Sequence, residues 1–317
     1  MHVGQIPDLI DSTGSIGDPQ TLRERWDNNG YLFFRGVIDP HVIASARVHF
    51  RRALAAEGLI DPAVDAPIWT GAPAKTRRPC DAIGEGVFRE VTAQPRLEKL
   101  VADVLGDKPV WLPIIAHRSS LPSGRANATD DIFKGRHQDG YFNEGMDIDI
   151  CWVPMMDISR ANGGLAVAAG QHKRGYLHDG ATPPRYPIPT DAIPPGTWRT
   201  ADFRVGDVLL FHRATPHTGL PNQTDVIRMS MDFRFCSESS PKPIMGTVTK
   251  LDGAAVRIHT DGKDVDIVVD DETFIRRMDP FPRLRIDQLK EVAHEGAKVI
   301  AMVDKDHKVT VLRPNFY

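Results

Sequence analysis

The sequence predicts a mainly β protein with helices near its N-terminal end and a small α+β module at its C-terminal end. Three observations lead to this class. Helix signals are concentrated in the first third of the chain. After about residue 108, short apolar runs alternate with Gly, Pro and Asn turns, and no helical period separates them. Beyond residue 240 the pattern changes again, to two hairpins around a helix.

The predicted helices of the first third carry recognisable start and stop residues. The segments "DPQTLRERWDNNG" (18–30) and "DPHVIASARVHFRRALAAEG" (39–58) each open with an Asp-Pro pair and end at a glycine. A third helix is predicted for "PRLEKLVADVLG" (95–106). Between the first two, "YLFFRGV" predicts a short buried strand.

Five strand-like runs follow: "VWLPIIAHRSSL", "DIDICWVPMMDI", "GGLAVAAG", "GDVLLFHRA" and "VIRMSMDFRF". The absence of helical segments between them favours a sandwich or a closed double-sheet barrel over a βαβ fold. We therefore expect one main domain over 1–240 with its flanking helices. Residues 241–317 are expected to form an appended α+β module, with hairpins over "AAVRIHTDGKDVDIVV" and "AKVIAMVDKDHKVTVL" and a helix over "RIDQLKEVAHEG".

Composition excludes several classes of function. A net charge of −3 gives no electrostatic case for binding nucleic acid or an anionic membrane. No apolar run approaches membrane-spanning length, and the N-terminus lacks the basic and apolar regions of a signal peptide. Three cysteines without a CxxC pair favour a reducing compartment, so we expect a cytoplasmic protein. A small-molecule substrate fits these limits, and a homo-oligomer stays open.

The stretch "GRHQDGYFNEG" (135–145) places His137 two residues before Asp139. On a strand end, both side chains would point to the same side. Two histidines and one carboxylate on one face of a metal leave three coordination positions open, the arrangement of non-haem Fe(II) oxygenases. A second histidine would have to come from elsewhere in the chain. The alternative is a solvated loop histidine beside a helix-capping aspartate.

A second segment, "GDVLLFHRATPHTGLPNQTDVIRMSMDFRF" (206–235), contains two histidines and a polar strand face. Alternation puts four polar residues on that face: Arg228, Ser230, Asp232 and Arg234. A buried Arg228 would need an anionic partner, and its guanidinium fork suits a carboxylate, to which Ser230 could add a hydroxyl donor. Alternatively, Arg228 pairs with Asp232 or is exposed.

In their order and spacing, these motifs resemble the phytanoyl-CoA dioxygenase family of Fe(II)- and 2-oxoglutarate-dependent oxygenases. "WDNNGYLFFRGVIDP" is similar to the family's entry segment, and "HQDGYF" to its HxD motif. "NGGLAVAAGQHKRG" is similar to its turn–strand–turn, and "GDVLLFHRATPHTGLPNQTDVIR" to its distal histidine and arginine segment. The resemblance covers about residues 20–236.

The resemblance implies a double-stranded β-helix, the jelly-roll or cupin-like barrel, with iron at one mouth. The segments 118–136 and 174–200 would flank that mouth. Fe(II) would be held by His137, Asp139 and His217 (not His212), with O2 as co-substrate. Arg228 would bind the far carboxylate of 2-oxoglutarate.

The resemblance also implies the remaining contacts to 2-oxoglutarate. Trp152 stands where the family places an aromatic residue near this cosubstrate. On "IIAHRSSLPSG", His117 and Ser119 would point inward together. Many members carry a hydroxyl residue two positions after the distal histidine. That position is a glycine here, so Thr218 or Ser230 would supply the hydroxyl.

The expected activity is hydroxylation, or another oxidation, of an unactivated C–H bond in a small molecule, with succinate and CO2 as co-products. Asp139 favours oxidation over halogenation, because related halogenases carry Gly or Ala at that position. Basic and aromatic residues expected near the mouth suggest an anionic substrate. These residues are His117, Arg118, Lys134, Arg136, Tyr141, Phe142, His172, Arg174 and Arg185.

Two other functions are compatible with the same residues. A cupin-type dioxygenase or isomerase would use the metal triad without 2-oxoglutarate, and Arg228 would then be dispensable. A catalytically silent binding protein would keep only the barrel. Three converging ligand residues argue against this second alternative.

Overall fold

A computed structural model describes residues 3–76, 78–123, 131–143, 145–179, 187–277, 283–304 and 308–315. The chain divides into two compact units. The first comprises 1–139, 148–177 and 189–238, and the second comprises 140–147, 178–188 and 239–317. Each unit has an apolar core of its own.

The helices of the first unit begin and end where the capping residues indicate. They are α1 (Pro19–Asn29), α2 (Pro40–Ala56), α3 (Gly86–Thr92) and α4 (Pro95–Leu105). The Asp18 side chain accepts a hydrogen bond from the Thr21 amide, and Gly30 ends α1 in the left-handed region with φ of 71°. The predictions of α1, α2 and α4 are confirmed, whereas α3 was not predicted. A further short helix, α5, covers Asp139–Phe142.

The first unit contains two antiparallel sheets, and all five predicted strand runs are confirmed. Its described strands are β1 (Tyr31–Phe34), β2 (Pro109–Ser120), β3 (Asp149–Pro154), β4 (Leu165–Ala168), β5 (Trp198–Arg199), β6 (Val208–Phe211), β7 (His217–Gly219) and β8 (Arg228–Ser237). The larger sheet has the order β1-β6-β3-β8-β2, and the smaller has the order β5-β4-β7.

The two faces of the larger sheet have different neighbours. One face packs against the helices, and Met229, Met231 and Phe233 of β8 belong to that core together with Phe50 of α2. The other face shares a second core with the smaller sheet, to which Leu165 contributes. Period-two alternation therefore directs the polar residues of β8 between the two sheets, as the jelly-roll prediction requires.

The second unit is built on one seven-stranded sheet in the order β11-β10-β9-β14-β15-β12-β13. Its described strands are β9 (Ile244–Asp252), β10 (Ala255–Thr260), β11 (Lys263–Val268), β12 (Phe274–Arg276), β13 (Arg283–Leu284), β14 (Lys298–Val303) and β15 (Val309–Pro314). Both predicted hairpins are confirmed by antiparallel pairing. At the first turn Asp261 and Gly262 have φ of 48° and 75°, as a two-residue hairpin loop requires.

Two features of the second unit differ from the expectation for the tail. The predicted helix is a 3-10 helix, Ile286–Glu291. The unit also includes two earlier segments, 140–147 and 178–188, so its sequence boundary is not a single cut near residue 240. Among the described residues, no helix is long and apolar enough to span a bilayer.

Candidate metal centre and cosubstrate pocket

Three side chains of the first unit converge on one point. The ligand atoms of His137, Asp139 and His217 lie within 4.8 Å of one another. Asp139 Oδ1 is 3.4 Å from His137 Nε2 and 3.7 Å from His217 Nε2. In the part of the chain that the structure describes, this is the cluster of histidine and carboxylate ligands able to hold a metal ion.

Hydrogen bonds fix the ring orientation of both histidines. The Nδ1 atom of His137 is 2.9 Å from the Gly135 carbonyl oxygen, and that of His217 is 3.0 Å from the Thr215 carbonyl oxygen. A carbonyl only accepts hydrogen bonds, so Nδ1 carries the proton in each ring. In a neutral ring with this tautomer, the lone pair lies on Nε2, the nitrogen that faces Asp139 in both residues. Two such nitrogens and one carboxylate oxygen suit a divalent first-row metal such as Fe(II).

The local backbone brings the ligands together in a different way from the one predicted. His137 forms an isolated antiparallel bridge with His217, with amide-to-carbonyl distances of 3.0 and 2.9 Å in the two directions. Asp139 is the first residue of α5, not a strand residue. The expectation that His137 and Asp139 share a strand face is therefore wrong. They converge because the chain turns from the bridge into the helix.

The electrostatics keep Asp139 and His217 in their metal-binding forms. Burial opposes ionisation of Asp139, but Arg234 and the two histidines hold its pKa well below the usual value. Burial, followed by the charge of His137, lowers the pKa of His217 to about 3. The site thus presents a carboxylate and, at His217, a neutral imidazole near neutral pH.

Arg228 lies in the wall of the same cavity and is 5% exposed. Its Nη2 donates to Ser120 Oγ at 2.7 Å, and its Nη1 donates to Ser230 Oγ at 3.2 Å. Its Nε has no hydrogen-bond partner among the described residues, and no described carboxylate lies within ion-pairing distance. Burial, together with the charge of Arg118, lowers its pKa to about 10.

The cavity has a volume of about 260 Å³ and joins the triad to Arg228. Its apolar wall is formed by Trp152, Leu165 and Phe211. Its polar wall includes the three triad residues and Arg228, so a single ligand in the cavity can contact both the metal position and the guanidinium. The arrangement can hold a metal chelator whose far end carries a negative charge.

Comparison with known proteins agrees with this chemistry. Residues 26–230 match the sequence model of the family described as phytanoyl-CoA dioxygenase. The chain belongs to the phytanoyl-CoA dioxygenase family. It is a 2-oxoglutarate-dependent non-haem iron oxygenase whose cofactors are iron and 2-oxoglutarate, and the triad fits the iron.

Similar proteins include a hydroxylase and two proteins whose structures were solved with 2-oxoglutarate. A curated relative, 1-deoxypentalenic acid 11-beta-hydroxylase from Streptomyces exfoliatus, is 28% identical over 74% of this chain and 87% of its own length. The epimerase SnoN, solved with Fe3+, alpha ketoglutarate and nogalamycin RO, has a TM-score of 0.52 at 20% identity, over 71% of this chain and 86% of that one. EctD from S. alaskensis, solved with 2-oxoglutarate and 5-hydroxyectoine, has a TM-score of 0.50 at 20% identity, over 74% and 84%. These two structures show that the fold is the jelly roll.

Within this phytanoyl-CoA dioxygenase fold, the orientation predicted for β2 is wrong for His117, whereas Ser119 does line the cavity. His117 packs against Phe50 on the helix side of the sheet. Burial raises the pKa of the Cys80 thiol to about 12, and the Ser119 hydroxyl opposes that rise. The reason for the orientation of β2 is its register with β8, in which Arg118 stands opposite Ser230 and Ser120 opposite Arg228. Arg118 and Ser120 therefore face the cavity.

The other predicted cosubstrate residues of this family member divide into two groups. Trp152 lines the cavity, and the Ser230 hydroxyl contacts Arg228. The Thr218 hydroxyl instead donates to the Lys134 carbonyl at 3.2 Å, while Gly219 lines the cavity. Thr218 is thus not the hydroxyl that replaces the one absent at Gly219.

The residues expected at the mouth of the oxygenase are mostly engaged elsewhere. Arg136 is buried against Asp131 and the Phe133 carbonyl, and Arg174 donates to Gln171 and to the Ala192 carbonyl. The remaining ones are placed as follows: His172 lies against His212, Lys134 is exposed, Tyr141 and Phe142 belong to the second unit, and Arg118 lines the cavity. Arg185 lies outside the described residues, as do 124–130 and 180–186 of the flanking segments.

Sequence reasoning missed the role of Ser120, left Arg234 without one, and offered Asp232 only as an alternative partner of Arg228. Asp232 and Arg234 lie beyond the last residue matched by the family model, yet both contact the site. The available signal was their shared strand face with Arg228. For Ser120 no signal existed in the sequence, because its direction depends on the pairing of β2 with β8.

Proposed function

We propose that this phytanoyl-CoA dioxygenase-family protein hydroxylates an unactivated C–H bond of a small anionic molecule. The reaction would consume one 2-oxoglutarate and one O2 and release the alcohol, succinate and CO2. The observation that carries the proposal is the buried Arg228, which shares a cavity with the metal triad and has hydroxyl partners but no described carboxylate partner.

A buried guanidinium is costly unless an anion compensates it. Within the first unit, the nearest internal candidate is Asp232, which stands on the same strand face. Asp232 is already bonded to Arg118 and Arg234. The far carboxylate of 2-oxoglutarate therefore suits Arg228, whose fork can hold it at two points. Ser120 and Ser230 hold the guanidinium in place for that contact.

His137, Asp139 and His217 would hold the iron, at which O2 would be the oxidant for the C–H bond and 2-oxoglutarate would supply two electrons on its conversion to succinate and CO2. The chain itself contributes position and environment. Its apolar wall shields the chelating end of the cosubstrate from bulk water, which strengthens the polar contacts within the cavity.

Three observations support an anionic substrate. Among the described residues, the charged side chains in and directly behind the cavity are three arginines (Arg118, Arg228 and Arg234) and two aspartates (Asp139 and Asp232), an excess of one positive charge. The charges of Fe(II) and of the 2-oxoglutarate dianion cancel, so the excess positive charge of the side chains remains when both are bound. The side chain of Arg118 is 42% exposed, so a substrate can reach it. The substrate in the name of the Streptomyces exfoliatus relative is also an acid.

The three described cysteines are buried thiols without a disulfide bond, which fits our proposal that the protein is cytoplasmic. We propose no nucleic-acid or membrane partner, in line with the net charge of −3.

The first experiment is an anaerobic titration of the full-length protein with Fe(II) and then 2-oxoglutarate. Chelation by the 2-oxo acid should produce a visible charge-transfer band. Arg228→Ala should lose the band at the same 2-oxoglutarate concentration, because removing one partner of a buried charged pair costs about 2–5 kcal/mol. Arg285→Ala is the control, since Arg285 is an exposed arginine of the second unit and should leave the band unchanged. Bound iron without a band would show that the enzyme does not use 2-oxoglutarate.

Substrate class is tested by comparing small carboxylic acids with their methyl esters. We measure how strongly each compound stimulates succinate formation, and whether label from isotopic O2 enters the product. Acids should stimulate turnover and become labelled, whereas the matched esters should not. Equal stimulation by ester and acid would remove the anionic requirement and leave the oxygenase assignment intact.

A further inference from the structure

The second carboxylate oxygen of the ligand Asp139 is held by a buried arginine. Asp139 turns Oδ1 towards the two histidine Nε2 atoms, and its Oδ2 accepts a hydrogen bond from Arg234 Nη2. Arg234 is only 1% exposed. The two oxygens of one carboxylate thus have different tasks, because one faces the metal position and the other faces a fixed cation.

Arg234 is itself held from three sides. Its Nη1 donates to Asp232 Oδ1 at 2.5 Å and to the Ile114 carbonyl at 3.3 Å. The other oxygen of Asp232 accepts from Arg118 Nε at 2.7 Å. Four side chains therefore form a row of alternating charge from the cavity wall to the metal ligand.

The irregular pairing of β2 with β8 helps to build this row. The register shifts between Leu112, which pairs with Arg234, and Ala116, which pairs with Asp232. The intervening residues of β2 leave the regular ladder, so that the Ile114 carbonyl is available to Arg234. The irregularity in the sheet thus gives the Arg234 guanidinium a backbone acceptor in addition to its two carboxylate partners.

We propose that Arg234 is a positioning residue that restricts Asp139 to binding the metal through Oδ1 alone. This inference rests on the proposed metal site. A facial triad leaves three coordination positions, of which a chelating 2-oxo acid takes two and O2 needs the third. If Asp139 bound through both oxygens, that third position would be lost. Swinging Oδ2 towards the metal would break its bond to Arg234 and leave a buried cation with one carboxylate partner fewer.

The test uses the metal-free full-length protein and Co(II), whose visible absorption reports coordination number. Arg234→Lys keeps the charge but loses the planar fork that bonds Asp139 and Asp232 together. We expect Co(II) affinity to fall by ~10–100-fold, as for other residues that orient a metal ligand. We also expect the absorption to change as Asp139 becomes a two-oxygen ligand. Arg228→Lys is the control: it changes another buried arginine on the same strand face and should alter neither quantity without 2-oxoglutarate.

A double-mutant cycle separates positioning from general stability. In an Asp139→Asn background, Arg234→Lys should cause no further loss of Co(II) affinity, because the two residues act as one unit. If Arg234→Lys does not fold, Asp232→Asn replaces it, because this change removes the other carboxylate that holds Arg234. Its loss of Co(II) affinity should be smaller, and it should again disappear in the Asp139→Asn background. Wild-type affinity and spectrum in both variants, or an undiminished loss in the Asp139→Asn background, would overturn the inference. Absence of Co(II) binding by the wild type would instead overturn the proposed metal site.

Discussion

Arg228 and Arg234 stand six positions apart on the same face of β8, and both are almost fully buried. Their surroundings differ. Arg228 donates to two neutral hydroxyls, whereas Arg234 donates to two carboxylates. Position and burial alone would assign the two residues the same role.

The difference in partners supports the two proposed roles, with Arg234 positioning Asp139 and Arg228 binding an anionic ligand. The positive charge of Arg234 is neutralised within the protein by its ion pairs with Asp139 and Asp232. Arg228 has the hydroxyls of Ser120 and Ser230 to fix its direction, but no described carboxylate to neutralise it. A buried arginine with only neutral partners is thus a better indicator of an anion site than a buried arginine as such.

The largest effect is expected at the triad that Arg234 supports. Asp139→Ala and His217→Ala should each lower iron affinity by at least ~10–100-fold, because losing a ligand costs more than losing a residue that orients one. His212→Ala should retain iron, since His212 lies outside the triad and packs against Trp26. Iron content after anaerobic reconstitution measures all three. If His212→Ala lost iron and His217→Ala retained it, the assignment of His217 as the distal metal ligand would be wrong.

The comparison itself is tested by making the same exchange at both arginines. At saturating Fe(II), Arg228→Lys should raise the dissociation constant of 2-oxoglutarate by ~10–100-fold, equivalent to about 1.5–3 kcal/mol for a charged hydrogen-bond pair. Arg234→Lys should change that constant much less once the metal site is full. Titration of the charge-transfer band gives both values. Equal effects of the two exchanges would mean that the different partners do not separate the two roles.

A smaller effect sharpens the role of the hydroxyls around Arg228. Ser120→Ala should weaken 2-oxoglutarate binding by roughly fivefold, since one hydrogen bond contributes about 1 kcal/mol. Ser119→Ala is the comparison variant, because Ser119 borders the cavity but stands opposite Met229, on the alternate face of β2 from Ser120. The same titration compares them. A larger effect at Ser119 than at Ser120 would reverse the orientation assigned to β2.

The last prediction concerns stability and not ligand binding, at His117 on the face of β2 away from the cavity. Burial lowers its pKa to about 4 from a usual 6.5, and its Nε2 has no hydrogen-bond partner among the described residues. Below pH 6.5 the unfolded chain gains a proton here that the folded protein does not take up until about pH 4. The free energy of unfolding should therefore fall on acidification, by at most about 1.4 kcal/mol per pH unit from this residue.

Urea unfolding of the metal-free protein at several pH values between 4 and 7 measures that slope. His117→Phe keeps a ring against Phe50 and should have a shallower slope than the wild type. Identical slopes would mean that His117 is not held neutral by burial. The 2-oxoglutarate titration at neutral pH should be the same for this variant and the wild type, since His117 does not line the cavity.

Much of this architecture follows from local sequence. Asp-Pro starts and glycine stops set the predicted α1 and α2, and period-two alternation located β8 and its polar face, because capping and alternation depend on neighbours along the chain. The HxD pair and the spacing to His217 and Arg228 were likewise visible without a structure. The capping and alternation signals depend on a few neighbouring residues. The metal and arginine positions follow from the order of motifs that the chain shares with a known family.

The tertiary structure alone decided which side of β2 faces the cavity. The family resemblance favoured His117 and Ser119, but pairing with β8 directs Arg118 and Ser120 into the cavity and leaves His117 outside it. A strand's two faces exchange places with a shift of one residue, and nothing within the strand sets that register. The partners of Arg228 and Arg234 were decided in the same way, because each is met by residues about a hundred positions distant in the chain.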